Sequence, residues 1–333
     1  MSEGGRRVVR GLSMGVKGVN FRLHIPKNAV GIIMRSFLVG VSMNFWIVMS
    51  LAAMAANAGK VLTIRRFCGG VDSTLLVLCS RALSAVVLLP ILFATGNSIP
   101  RSGLFWGVVA ITAIITAVAS VLLTEAIKKG NMAAVMPAQA TVPIFMLLFL
   151  VIVFGEHPSG CSIFWTAAAM GCLGATLYFS SPAKTHSKTT IFTVFSVFAA
   201  VLFGIGTVLD RTAITAAAGG ALAYSACWNF VSAVILGVQC QRKKIKWYVS
   251  KKNAAAVAVF SLLALGAFFC QQYAVQLSAS LAGGVVNVKT IVMLHLPIVV
   301  AANYFISSEK YSKRLLFFGF LTIVCGIALI RGA

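Results

Sequence analysis

Four charged side chains stand inside stretches of sequence that are otherwise apolar: Lys60, Arg81, Glu125 and Lys289. An ionised group at the centre of a membrane helix costs ~2.5–3.5 kcal/mol on insertion scales, so it snorkels to an interface, joins a buried pair or faces water. Lys60 and Glu125 fall near the ends of their apolar runs, where snorkelling competes evenly with a functional role. Arg81 and Lys289 lie some nine residues into theirs, too deep for easy snorkelling. For these two a water-filled pathway is favoured over a buried structural ion pair. Three cations facing one acid, Glu125, leave a surplus of positive charge, which suits a substrate bearing a carboxylate or phosphate.

Polar residues recur around these charges: Asn57, Gln139, Thr141, Asn229, Gln271, Gln272, Tyr273 and Asn287. Asn57 and Lys60 are three apart and share a helix face. Polar groups in spans also act as interhelical glue worth ~0.6 kcal/mol each, an equal alternative to substrate contact for any one of them. An ordinary imidazole titrates near neutral pH, so His295 is, with Glu125, a candidate for carrying a coupled proton, against the alternative of a hydrogen-bonded packing residue. Pro137, Pro143 and Pro297 sit inside apolar runs and should bend or break them. There is no GxSxG, HExxH, Walker A or pair of close acids, so neither enzyme chemistry nor ATP-driven pumping by this chain is expected. The eight cysteines form no CxxC and fall mostly in apolar runs. They predict neither a disulfide framework nor a metal site, and no cofactor is expected.

The elements that must position these residues follow from composition. Of 333 residues 59% are hydrophobic and 10% charged, far from the usual soluble balance. That is enough apolar sequence for about ten spans of ~20 residues, and the chain reads as a polytopic helical membrane protein. The runs are 38–64, 73–94, 104–127, 132–154, 162–180, 190–210, 218–239, 253–276, 281–305 and 313–331, with Asp72 a candidate N-cap for the second. The formal charge of +22 comes from 28 Lys and Arg against six acids. These cations collect in the N-terminal tail and between runs, where loops meet anionic lipid, so a bilayer surface and not nucleic acid is the expected partner. The first 30 residues are basic without an apolar core, which argues against a cleavable signal peptide.

An internal repeat is legible at an offset of 147–148. Ala58–Leu62 lines up with Ile205–Leu209, CSRALSAVVL from Cys79 with CWNFVSAVIL from Cys227 at five identities in ten, and Ala126 with Ala274. Asn229 falls opposite Arg81. Five helices per half is an odd number, so the second half enters the membrane from the other side, giving an inverted repeat suited to alternating access. The division is a basic tail at 1–37, a first half at 38–180, a linker at 181–189 and a second half at 190–333. Charge does not settle which side the termini face: the tail favours the inside, and the loops, above all 240–252, favour the outside.

The segment AIKKGNMAAVMPAQATVPIFMLLFLVIVFGE (Ala126–Glu156) resembles the third-to-fourth helix signature of the EamA-type drug/metabolite transporters. In that pattern small residues follow an A-L-K/R start, a proline stands within the fourth helix and Gly-Glu closes it. Pro143 and Gly155-Glu156 occupy the matching places. Arg81, within LCSRAL, resembles the arginine early in that family's second helix, and Asn57 with Lys60 the N-x-x-K end of its first. The sequence departs from the pattern at Ile291, where a proline would fall, and at Ser308-Glu309, which comes several residues late. Lys289 instead resembles the ninth-helix lysine with which the sugar-phosphate and nucleotide-sugar branches engage phosphate. The resemblance implies ten helices in two inverted halves, in a bacterial inner membrane. It implies secondary transport of a small metabolite: an amino acid or derivative, a nucleoside or S-adenosylmethionine. A proton or counter-substrate would be coupled. Arg81, Lys289, Asn57, Lys60 and Asn229 would line the cavity, and Glu156 would cap or pack. The alternatives are an exchanger of nucleotide sugars or phosphorylated metabolites, a lipid-carrier flippase, a non-transporting scaffold or receptor, and a membrane-embedded enzyme.

Overall fold

The structure is a computed structural model that describes residues 27–130, 132–155, 188–247, 249–281 and 284–299, with isolated positions between 160 and 175 and between 302 and 325. Two compact units divide at Val41 and Ser42. The described part of the first is helical from Lys27; everything below concerns the second. The described residues form nine helices: α1 (Lys27–Phe67), α2 (Ser73–Ala94), α3 (Gly103–Lys129), α4 (Met132–Gln139), α5 (Val142–Phe154), α6 (Lys188–Ala216), α7 (Gly220–Arg242), α8 (Lys251–Ser278) and α9 (Gly284–Met293). Six are long and apolar enough to cross a bilayer, with Val142–Phe154 and Gly284–Val299 as shorter apolar helices. Lipid offers no partner to an open backbone, so such runs close their hydrogen bonds internally. The chain is an integral, multi-pass helical membrane protein. The expected fifth and tenth spans, 162–180 and 313–331, lie outside the described elements, as do Glu156 and Ser308-Glu309.

The fourth and ninth spans are not continuous, and the breaks have a common cause. Proline has no amide to give to the carbonyl four residues back, and its ring crowds that carbonyl. Four residues before Pro143 is Gln139, where α4 ends; four before Pro297 is Met293, where α9 ends ahead of a turn at Leu294. By contrast α2 and α4 run on through Pro90 and Pro137.

α2 starts where expected. The Asp72 carboxylate accepts from Thr74 N at 2.7 Å and Leu75 N at 3.3 Å, satisfying two of the amides a helix start leaves open. Asp72→Ala is expected to cost about 1 kcal/mol and Asp72→Asn much less. Thermal unfolding in detergent checks this, and an unchanged midpoint for Asp72→Ala would remove the cap from the account.

α3 packs along α6 and α2 along α7, with α8 against α2 and α9 against α8. Small residues let the backbones approach: a Cβ at Gly206 would stand 2.9 Å from Thr116 Cγ2 between α6 and α3, and one at Gly59 3.2 Å from Leu263 Cδ1 between α1 and α8. Helix ends sort into two groups. The 68–72 turn and the 243–250 loop share one end, where Gly70 lies beside Asn253. The 95–102 and 217–219 turns share the other, where Gly219 lies beside Asn97 and Arg211 donates to Ala279 O at 3.1 Å. Each end holds an apolar core. One gathers Ile64, Cys68, Leu76, Ile127 and Val299, the other Leu92, Phe105, Ile214, Tyr224 and Val285. Burial pushes the Cys68 thiol up from its ordinary value.

Candidate functional site

Between the two cores lies a cavity of about 140 Å³. At about 30 Å³ per water it has room for about five waters. Asn57 and Lys60 from α1, Arg81 from α2, Asp210 from α6 and Lys289 from α9 all line it, with Gln139 at the end of α4 and His295 beyond the break after α9.

Helical spacing sets the first pair. Asn57 Nδ2 donates to Ala53 O one turn back at 2.9 Å, which leaves its Oδ1 to accept from Lys60 Nζ at 2.7 Å. Arg81 is held differently. Its guanidinium carbon stands 4.2 Å from the Trp228 ring centre and 5.5 Å from that of Phe268, and those two rings stack at 4.2 Å and 11°. Nη2 donates to Ser120 Oγ at 3.2 Å, and buried Nε has no hydrogen-bond partner among the described residues. A desolvated cation–π contact is worth about 2 kcal/mol or more, so the two aromatic faces help to retain this charge. Lys289 Nζ donates to Gln271 Oε1 at 3.2 Å and stands 5.9 Å from the Phe203 ring centre. Among the described residues none of the three cations is within salt-bridge distance of a carboxylate; the described ion pair is Lys129 with Glu125.

The acid in the cavity is not the expected one. Glu125 sits on the last turn of α3, paired with Lys129 and accepting from Ser73 Oγ, and it does not line the cavity. Asp210 does. It is 3% exposed and accepts from the Tyr224 hydroxyl and from Gln272 Nε2 at 2.9 Å; the Tyr224 oxygen lies 3.2 Å from Thr112 Oγ1. Asp210 escaped sequence reasoning because the sixth span was ended at 210, where a charge looked like a helix terminus. The helix continues to Ala216. The signal available was TAITA after it, which gives no stop.

Asn229 is buried outside the cavity wall, its Nδ2 donating to Ser225 O on its own helix at 2.8 Å and its Oδ1 without a described partner. His295 Nδ1 lies 2.7 Å from Val292 O. The geometry brings Arg81, Lys289, Asn57, Lys60 and His295 together and leaves Asn229 and Glu125 apart.

A multi-pass helical bundle with a charged cavity among its helices defines the class: an integral helical membrane protein. Residues 44–181 match the EamA-like transporter family, and that segment is an EamA-like domain of the drug/metabolite transporter superfamily. A solved crystal structure, titled only as that of a protein, is similar at 13% identity with a TM-score of 0.64, over 86% of this chain and 99% of that one. At that identity the likeness speaks to the fold. It is one of 28 solved chains that match. No protein of curated function matches the sequence.

Proposed function

We propose that the chain is a secondary-active transporter of a small anionic or zwitterionic metabolite, of the amino-acid, nucleoside or S-adenosylmethionine class, working by alternating access in a bacterial cell membrane. The observation that carries this is the trio Lys60, Arg81 and Lys289, held in one cavity by neutral and aromatic partners and not by acids. Three cations that share a cavity with one carboxylate, Asp210, none of them within salt-bridge distance of it, leave positive charge for an anion to meet. Arg81 and Lys289 would meet the anionic group, with Asn57 and Lys60 beside them. The two halves, 38–180 and 190–333, would rock about this site as inverted five-helix repeats. The contact pattern supports that reading. Exchanging the halves swaps α2 with α7 and α3 with α8, which returns the α2–α7 contact to itself and converts the α2–α8 contact into the α3–α7 contact; both occur. Lys289 on the wall favours a second reading, an exchanger of phosphorylated metabolites, and competition by inorganic phosphate would distinguish it.

The test needs no substrate. Lys289→Cys and Arg81→Cys are made singly in a Cys-free background and labelled with a membrane-impermeant thiol reagent from each side. Labelling from both sides is expected. Protection from both sides, in folded protein, would make these cations structural and favour a non-transporting scaffold.

A further inference from the structure

Asp210 is the one carboxylate among the described residues that lines the cavity. Its two oxygens are taken by neutral donors, Tyr224 and Gln272, and among the described residues no cation lies within salt-bridge distance. Burying an ionised carboxylate is costly without a counter-charge. The groups that face it are few. α3 brings Thr112 by way of Tyr224, α4 and α5 carry no charged residue, α7 brings Tyr224, α8 Gln271 and Gln272, and α9 Lys289. Arg81, Lys60 and His295 line the same cavity. Arg81 and Lys289 line the same cavity as Asp210, so an anion lying against them lowers the positive potential at the carboxylate and strengthens its hold on a proton taken from water.

The site is also fitted for the protonated form. Gln272 Oε1 is buried with no hydrogen-bond partner among the described residues. Turning that amide over would set Oε1 where Nε2 now stands, 2.9 Å from Asp210 Oδ2, ready to accept from a carboxyl O–H.

We propose that Asp210 is a proton-binding site coupled to anion binding. A proton passes from water to the Asp210 carboxyl as the anion enters and returns to water on the far side as it leaves, so proton and anion travel together. This rests on the transport reading above. The full chain is reconstituted in vesicles holding a pH-reporting dye, with the voltage clamped, and L-glutamate and inorganic phosphate are the external probes. Expected for the wild type is probe uptake with acidification of the interior. Asp210→Asn is expected to lose the acidification and proton-driven accumulation, yet still exchange probe for probe at a rate that no longer varies with pH. Acidification by Asp210→Asn at the wild-type level overturns the proposal. So does wild-type uptake without acidification, which leaves transport standing. Failure of the wild type to take up either probe overturns the anion reading and this proposal with it. If Asp210→Asn does not fold, Tyr224→Phe removes one donor and keeps the carboxyl; it should displace the pH midpoint of uptake, and an unmoved midpoint overturns the assignment.

Discussion

Arg81→Ala should weaken binding of an anionic probe by roughly 10- to 100-fold while the protein remains folded. A hydrogen bond to a charged group is worth about 1.5–3 kcal/mol, and 1.4 kcal/mol is a factor of ten. Arg81 sits at the upper part of that range because its guanidinium is desolvated, fixed against Trp228 and Phe268, and left with an unused buried Nε. Arg81→Lys keeps the charge but loses the planar fork that fits the indole face, so an intermediate loss is expected. Calorimetric titration with L-glutamate and with inorganic phosphate, beside a check of helix content, reads both. Wild-type affinity in a folded Arg81→Ala protein would take Arg81 out of the site.

The largest structural effect is expected at Gly204, where α6 crosses α5. A Cβ there would meet Phe145 Cβ at 2.8 Å, Met146 N at 3.2 Å and the Phe145 carbonyl carbon at 3.3 Å. Two of these are backbone atoms, so room can be made only by moving α5 bodily. Overpacking a filled contact costs about 1–3 kcal/mol, and immovable neighbours put Gly204→Leu at the top of that range. Proteins have about 5–15 kcal/mol to lose, so this is a large share. Gly204→Ala should be milder. Gly204→Leu is expected to lower the unfolding midpoint in detergent and the yield of monodisperse protein; a wild-type midpoint would show that α5 and α6 separate freely.

Much of the architecture was readable because lipid constrains it so tightly. The span read as 73–94 is the helix observed, and 104–127, 218–239 and 253–276 differ from α3, α7 and α8 by three residues or fewer at either end. The prolines announced the breaks after Gln139 and Met293. They did not announce that Pro90 and Pro137 would be absorbed, because that depends on what neighbouring helices offer the freed carbonyl. Arg81, Lys289, Asn57 and Lys60 were legible since a polar group deep in an apolar run is costly wherever it points. Asn229 illustrates the opposite limit: the repeat gave its partner helix but not the face on which it stands, and it bonds to its own backbone. Glu125 and Lys129, four apart, could have been paired by spacing alone. Asp210 was hidden by a boundary placed six residues early.

The cavity's charge has an electrical consequence. Counted as formal charges, the three cations against one carboxylate that line the empty cavity give a surplus of two. A membrane voltage does work on charge that crosses it, ~2.3 kcal/mol per charge for each 100 mV over the full thickness. If the cavity faces first one side and then the other, an interior-negative voltage draws that surplus inward, and a monoanion that enters with a proton leaves the surplus unchanged, so the field would pull on the empty and loaded forms alike.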